Sequence, residues 1–193
     1  MGSSYIEADN AIGFPDRYDD PRWVCPKYIM VWGKDPLYSS PDGFFGHSII
    51  DIMKRGAKII TVDPRLTWLG AHSEYHLQLR PGTDAAVGMG FLNVIISEDL
   101  YDHDFVEKWC YGFEEYEKAC EPYNLDWASE VTWLDKKDII AAAKYMSEKP
   151  TAVQWGLAID MNLQCVTASQ ALCNLWCITG QIDIPGGMIT VHD

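Results

Sequence analysis

The sequence predicts an α/β fold with a doubly wound, mostly parallel sheet and helices on both faces, as in Rossmann-like domains. Three observations lead to this prediction. Short apolar runs rich in β-branched and aromatic residues recur along the chain, as buried parallel strands require. Longer helical patterns alternate with these runs. Loops with Gly, Pro and Asp follow the runs, and such loops bind ligands at the carboxyl ends of parallel strands.

The first βαβ unit is predicted near the start of this alternation. Residues 28–32 read Tyr-Ile-Met-Val-Trp, which is typical of a fully buried strand, and the run stops at Gly33. A helix is expected over residues 43–55. A second strand is expected over residues 58–62, and it ends in Asp63-Pro64-Arg65. Because parallel strands end at the same edge of a sheet, the two loops should lie side by side.

The middle of the chain adds a third strand and a buried helix. Alternating apolar and polar residues predict a half-buried strand over residues 75–80. Pro81 and Gly82 end it. A nearly all-apolar helix is predicted over residues 84–97, with Thr83 as its N-cap.

The last elements are assigned from caps and periodicity. A turn is expected between Trp127 and Trp133, a fourth strand over residues 151–155, and a loop over residues 181–187. The remaining helices are expected over residues 103–110 with Asp102 as N-cap, 114–120, 136–147 with Asp135 as N-cap, and 163–179 with Gly180 as C′ residue.

Bulk composition agrees with a globular domain. The length of 193 residues suits one domain, and the 48% of hydrophobic residues can form a core. We expect residues 1–27 to form a connecting segment and residues 28–193 to form the domain. The formal net charge of -13 disfavours nucleic acid and anionic membranes as broad partners. No apolar run is long enough to predict direct insertion into a membrane.

The cysteines are predicted to be small apolar packing residues, because none of them forms a Cys-x-x-Cys pair. Cys173 and Cys177 lie four residues apart on a predicted helix, so a metal site there is a less favoured alternative. No His lies near them in the sequence. The six cysteines are Cys25, Cys110, Cys120, Cys165, Cys173 and Cys177.

Polar groups at the predicted strand ends indicate a nucleotide site. Asp63 is placed to bind ribose hydroxyls or the N–H edge of a purine, and Arg65 can stack on a base or clamp a phosphate. Gly82 and Thr83 precede a helix start, whose N–H groups favour an anion. The two carboxylate oxygens of Asp84 match the two N–H donors of guanine. We therefore expect Asp84→Ala to weaken GDP binding with little effect on the melting temperature.

Purely structural interpretations of the same residues are also possible. Thr83 and Asp84 are also a suitable helix cap, and Asp63 with Arg65 is also a turn with an ion pair. Lys34 is also a solvated loop charge. The chain has neither a Gly-x-Gly-x-x-Gly motif nor a P-loop, which disfavours the ordinary dinucleotide and P-loop classes. No catalytic or metal-ligating residue is predicted.

Five ordered segments resemble the central, cofactor-binding region of the catalytic subunit of the molybdopterin oxidoreductases, the dimethyl sulfoxide reductase superfamily. They begin at residues 31, 56, 79, 98 and 179 and include Val31-Trp32-Gly33-Lys34-Asp35-Pro36, Val62-Asp63-Pro64-Arg65-Leu66-Thr67, Arg80-Pro81-Gly82-Thr83-Asp84-Ala85, Glu98-Asp99-Leu100-Tyr101-Asp102 and Thr179-Gly180-Gln181-Ile182-Asp183. Their order and spacing make the resemblance specific.

The resemblance implies a domain, cut from a larger multidomain enzyme, that holds the guanosine end of a bis(molybdopterin guanine dinucleotide) cofactor with Mo or W. Carried over position by position, it implies cofactor contacts for Trp32, Gly33, Lys34, Asp35, Pro36, Asp63, Pro64, Arg65, Thr67, Gly82, Thr83, Asp84, Trp155 and Gly156. The family loop more often has Asn at position 35, so Asp35 departs from the pattern.

The resemblance also implies what the parent enzyme contains. A 4Fe–4S cluster is expected in the parent but not in this segment. The expected partners are the remaining domains of the catalytic subunit and an iron–sulfur electron-transfer subunit. The parent would transfer two electrons or an oxygen atom, for example in sulfoxide or N-oxide reduction during anaerobic respiration in a prokaryote, in the cytoplasm or the periplasm. The segment alone is expected to be inactive.

Two alternatives remain at this point. The first is a non-redox hydratase or hydroxytransferase of the same family with the same cofactor. The second is a stand-alone nucleotide-binding module without a metal cofactor.

Overall fold

Four parallel strands form the centre of the molecule. The computed structural model describes residues 24–39 and 44–188, so most of the predicted connecting segment lies outside the described residues. The sheet has the order β3-β2-β1-β4. The strands are β1 (Tyr28–Trp32), β2 (Lys58–Val62), β3 (Tyr75–Leu77) and β4 (Thr151–Trp155). The predicted parallel α/β fold is therefore confirmed.

Helices connect all the strands. Among the described residues none of these helices combines the length and apolar character that crossing a bilayer requires. The helices are α1 (Pro36–Ser39), α2 (Phe44–Lys54), α3 (Trp68–Ala71), α4 (Asp84–Ser97), α5 (His103–Trp109), α6 (Phe113–Cys120), α7 (Leu125–Thr132), α8 (Lys136–Ser147), α9 (Leu157–Asp160) and α10 (Cys165–Ile178).

The winding of the sheet reverses beside β1. The chain passes from β1 to β2 and then to β3 in one direction, and β4 returns to the other side of β1. Trp32 is in register with Val62 of β2 and with Trp155 of β4, so these strands end level with one another. Such a reversal at the carboxyl ends is where open α/β sheets form ligand crevices.

Both faces of the sheet are covered. On one face the ring of Tyr145, from α8, lies 4.5 Å from that of Tyr28 and 5.4 Å from that of Tyr75. On the other face Gly70 of α3 packs against His76, whose Nδ1 lies 2.8 Å from the hydroxyl of Thr61. Successive side chains along each strand point to opposite faces of the sheet, as the β pleat requires.

The apolar helix α4 is the centre of the helical layer. Contacts join it to α7, α8 and α10. Gly88 allows the close approach of α10, because a Cβ atom at this position would lie only 2.8 Å from the Cβ of Ala171. Burial of this helix explains why its sequence lacks a polar face.

Two local predictions are wrong. The third strand ends at Leu77 instead of residue 80, because the N–H of Arg80 donates to the carbonyl of Thr132 and not to the sheet. The predicted turn between Trp127 and Trp133 is the helix α7, which Asn124 caps by accepting from the N–H of Trp127. A tertiary contact thus replaces sheet pairing at Arg80, whereas the helix α7 begins at a local cap that the prediction overlooked.

Two of the three predicted N-cap side chains do not cap their helices. Asp102 caps α5 as expected, since its side chain accepts from the N–H of Phe105. The side chains of Thr83 and Asp135 make no capping hydrogen bond. Thr83 instead donates its hydroxyl to the carbonyl of Arg80 at 2.7 Å. The helix signal of these residues was correct although their side chains act differently.

The outer edge of β4 is covered by the segment after α10. The side-chain carbonyl of Gln181 accepts from the N–H of Thr151 at 2.9 Å. The sulfur of Met188 accepts from the N–H of Val153 at 3.3 Å. Gln181 and Met188 are both buried, so these side chains occupy the place where a neighbouring strand would pair.

Candidate functional site

A cavity of about 270 Å³ lies at the carboxyl edge of the sheet. Residues that follow all four strands line it, so the predicted juxtaposition of the strand-end loops is present. Its lining residues are Gly33, Val62, Asp63, Pro64, Arg65, Leu79, Pro81, Gly82, Asp84, Ala158 and Asn162.

Asp84 lines the cavity and also accepts a hydrogen bond from a core residue. Its side chain lies in the first turn of α4 and is 8% exposed, while Trp32 at the end of β1 is fully buried. The indole N–H of Trp32 donates to Oδ1 of Asp84 at 2.9 Å. Burial raises the pKa of the Asp84 carboxyl, the indole N–H opposes that rise, and the nearby charge of Asp63 adds to it.

Asp63 is a second buried carboxylate at the cavity. It is 4% exposed, and Arg65 forms a two-point pair with it through Nε at 3.2 Å and Nη2 at 3.1 Å. The backbone N–H of Arg65 also donates to Oδ1 of Asp63 at 2.8 Å. This pairing raises the pKa of the Arg65 guanidinium. Because the Arg65 side chain is 65% exposed, its outer face remains available at the rim.

Glycines bring the strand ends together. Gly33 has a φ angle of 60° and donates its N–H to the carbonyl of Val62, which bends the chain at the end of β1. A Cβ atom at Gly156 would lie 2.7 Å from the carbonyl oxygen of Gly33. Gly82, with φ of 82°, turns the chain from the β3 segment into α4, and a Cβ there would meet no atom within 4 Å.

Several predicted contact residues do not line the cavity. Thr67 caps α3 by accepting from the N–H of Gly70 at 3.0 Å. Trp155 stacks on Trp176 with ring centroids 4.7 Å apart. The predicted contact residues that are absent from the cavity lining are Trp32, Lys34, Asp35, Pro36, Thr67, Thr83, Trp155 and Gly156.

Ala158 and Asn162 line the cavity but were not predicted from the sequence. Ala158 lies in α9, and Asn162 lies four positions further on, in the bend after the helix ends at Asp160. Asn162 donates its side-chain amide to the carbonyls of Ala158 and Ile159 at 3.3 and 3.1 Å, and accepts from the N–H of Gln164. No periodic pattern in the sequence marks this pair, because Asn162 lies beyond the end of α9.

The cysteines give no metal centre in the part of the chain that the structure describes, where no cluster of three or more His, Cys, Asp or Glu side chains is suited to hold an ion. Burial raises the pKa of the Cys120 and Cys177 thiols to about 11. Protonated, buried thiols agree with a packing role. The metal alternative for Cys173 and Cys177 gains no support from the described residues.

The parallel sheet and the cavity at its carboxyl edge define an α/β ligand-binding domain of the Rossmann-like class. Comparison with known families narrows this class. The molybdopterin oxidoreductase family model matches residues 12–191. The chain belongs to the molybdopterin oxidoreductase family, which confirms the resemblance seen in the sequence.

Individual relatives agree with this family. Acetylene hydratase of Syntrophotalea acetylenica is 43% identical over 129 residues, which are 66% of this chain and 18% of that protein. Formate dehydrogenase H of Escherichia coli is 32% identical over 158 residues, which are 81% of this chain and 22% of that protein.

A solved structure shares the fold. Acetylene hydratase from Pelobacter acetylenicus matches with a TM-score of 0.81 at 32% identity, over 96% of this chain and 26% of that chain. The chain therefore spans between 18% and 26% of the length of these three proteins.

Proposed function

We propose that this domain binds the guanosine end of a bis(molybdopterin guanine dinucleotide) cofactor in the cavity at the carboxyl edge of the sheet. The observation that carries the proposal is the pair of buried carboxylates, Asp63 and Asp84, that both line the cavity. Guanine presents N–H donors, and carboxylate oxygens are strong acceptors for them. Membership in the molybdopterin oxidoreductase family supports the choice of cofactor.

The size of the cavity supports a nucleoside and not a whole dinucleotide. Its volume of about 270 Å³ lies below the roughly 300 Å³ at which pockets for drug-sized ligands begin. The rest of the cofactor would then extend past the rim, where Arg65 is exposed. The first turn of α4 adds backbone N–H groups that favour phosphate oxygens.

The residues of this chain would bind and orient the cofactor. When bound, the Mo or W centre supplies the redox or Lewis-acid chemistry. Asp84 would accept from the base, and Arg65 would hold Asp63 in place and offer a cation to a phosphate. Gly82 would let the backbone approach the ligand, since a side chain is absent at that turn.

The reaction of the whole enzyme is proposed from its relatives. Two-electron transfer is favoured by the match to formate dehydrogenase H. A non-redox hydratase is the second candidate, because acetylene hydratase is the relative with 43% identity and also matches in structure. Purified full-length enzyme separates them. A redox enzyme reduces or oxidises a viologen dye with its substrate, whereas a hydratase turns over without net electron transfer.

The binding proposal is tested by calorimetric titration of the 193-residue chain with GDP and ADP. We expect weak binding of GDP and weaker binding of ADP, with no turnover. Asp84→Asn should reduce GDP affinity, because its amide donates where a carboxylate accepts. Asp104→Asn is the matched control, since Asp104 also lies in the first turn of a helix but is exposed.

Equal affinities for GDP and ADP, or an unaltered affinity in Asp84→Asn, would refute the binding proposal. A stand-alone nucleotide module, the remaining alternative, predicts tight GDP binding by the chain alone. Weak binding that favours guanine therefore separates the cofactor domain from such a module.

A further inference from the structure

We infer that Trp32 is a positioning residue for the ligand site: its buried indole N–H fixes the Asp84 carboxylate so that the second carboxylate oxygen serves the cavity. This inference rests on the proposed function for its consequence in binding. The hydrogen bond itself does not depend on that function, so the two can be tested separately.

Trp32 cannot itself lie on the ligand surface. It is fully buried at the end of β1, and its ring packs edge-on against Phe91 of α4 at 5.8 Å. This contact fixes the indole plane, because the helix and the strand are both rigid elements. The Nε1–H then points at Oδ1 of Asp84 at 2.9 Å. A donor fixed in the core thus determines the orientation of a side chain at the cavity.

The two carboxylate oxygens of Asp84 have different roles in this arrangement. Oδ1 accepts the indole N–H, and within residues 24–39 and 44–188 no side chain donates to Oδ2, which keeps acceptor capacity for a ligand. Asp63 differs, because Arg65 donates to both of its oxygens. Of these two buried carboxylates, Asp84 is therefore the one with an oxygen that no side chain of the described residues occupies. Direct recognition of the base is assigned to it.

The indole also favours the ionised form that recognition needs. Donation to a carboxylate stabilises the charged form and lowers its pKa. The charged group of the described residues that acts on the pKa of Asp84 is Asp63 at the end of β2, which itself pairs with Arg65. Asp63 acts in the opposite sense to Trp32. Loss of the indole donor therefore raises the pKa of Asp84, and GDP binding is lost at a higher pH on acidification.

The free chain offers a test that needs no substitution at Trp32. In ¹H–¹⁵N spectra the Trp32 indole signal should titrate with the same midpoint as the Asp84 carboxyl signal in ¹³C spectra. Asp84→Asn should abolish this dependence. Trp176 is the internal control, because it is also buried and its indole N–H has no hydrogen-bond partner among the described residues. A Trp32 signal that does not follow Asp84 overturns the inference.

Binding gives the second test. Trp32→Phe should weaken GDP binding at neutral pH by about tenfold, an effect typical of losing an outer partner of a ligand-binding group. It should also move the acid loss of binding upward in pH. Trp176→Phe removes an indole from the core without these changes. An equal loss at every pH overturns the inference. Absence of GDP binding by the unsubstituted chain would refute the proposed function, while the titration still decides the role of Trp32.

Discussion

The indole nitrogen of Trp32 and Oδ1 of Asp84 lie 2.9 Å apart, although 52 positions separate the residues in the sequence. This hydrogen bond connects the end of the first strand to the start of α4. It gives Asp84 a structural task in addition to its proposed contact with a ligand. The first prediction separates these two tasks.

Asp84→Ala should destabilise the fold by about 1–3 kcal/mol, because it leaves the buried indole donor of Trp32 without an acceptor. Asp84→Asn retains a side-chain oxygen for this donor and should cost less. Urea denaturation of both variants measures the difference. Equal free energies of unfolding for the two variants would show that the hydrogen bond does not contribute.

Acid stability should depend on Asp102. The Lys149 ammonium and then the N–H of Phe105 hold the pKa of this carboxyl below its ordinary 3.8. A lowered folded pKa gives stability that is present above the unfolded pKa and lost as the pH falls through the folded one. Asp102→Asn keeps a capping oxygen, so we expect a loss of only about 0.5 kcal/mol at neutral pH for this part-exposed pair.

The unfolding free energy of Asp102→Asn should also fall less on acidification than that of the unsubstituted chain. Lys149→Gln is the matched variant from the other side of the pair. If both variants retain the full acid sensitivity, the pair is not its source. Thermal unfolding at several pH values provides the measurement.

Close packing of α4 on α10 predicts a compensating pair of substitutions. Gly88→Ala should destabilise by about 1–3 kcal/mol through overpacking, since the new Cβ would lie 2.8 Å from that of Ala171. Gly88→Ala combined with Ala171→Gly restores the total volume and should recover part of that loss. A double variant less stable than the sum of the two single effects would contradict this account.

Arg65 should matter for binding through geometry as well as charge. Arg65→Ala should weaken GDP binding by about tenfold, because Asp63 loses its two-point partner and the rim loses a cation. Arg65→Lys keeps the charge but not the fork, so it should restore only part of the affinity. If calorimetry showed that Arg65→Lys binds GDP as tightly as the unsubstituted chain, the positive charge of Arg65 alone would account for its effect on binding.

Thiol reactivity should follow burial. The Cys120 and Cys177 thiols, with pKa values of about 11, remain protonated at pH 8 and should react slowly with iodoacetamide. Cys173 is exposed on α10 and should be alkylated first. Peptide mass spectrometry over a time course gives the order. Early modification of Cys120 would indicate that α6 opens locally.

The sequence was sufficient for the strands and for the meeting of their loops. Buried β-branched runs such as residues 58–62 have one strong interpretation, and parallel strands necessarily end at one edge. The positions of Asp63, Gly82 and Asp84 around one cavity follow from that geometry. The prediction of a turn between Trp127 and Trp133 was wrong because it overlooked Asn124, which caps α7 by accepting from the N–H of Trp127.

Long-range hydrogen bonds could not be predicted from the sequence. From the sequence, Asp84 is a ligand group whose removal should spare the melting temperature. The structure changes this expectation, because the acceptor for a buried indole depends on how α4 packs against β1. The role of Asn162 was hidden for a similar reason, since its place at the cavity depends on the turn after β4.

The contacts of Gln181 and Met188 with β4 have a consequence for self-association. An uncovered outermost strand is a template on which another polypeptide can add its own strand, and this is a route to fibrils. Here the amides of Thr151 and Val153 already donate to side chains of the same molecule. The β4 edge of the sheet is thereby protected against the addition of a strand from another molecule. Gln181→Ala should therefore make the protein more prone to aggregate when it is stored.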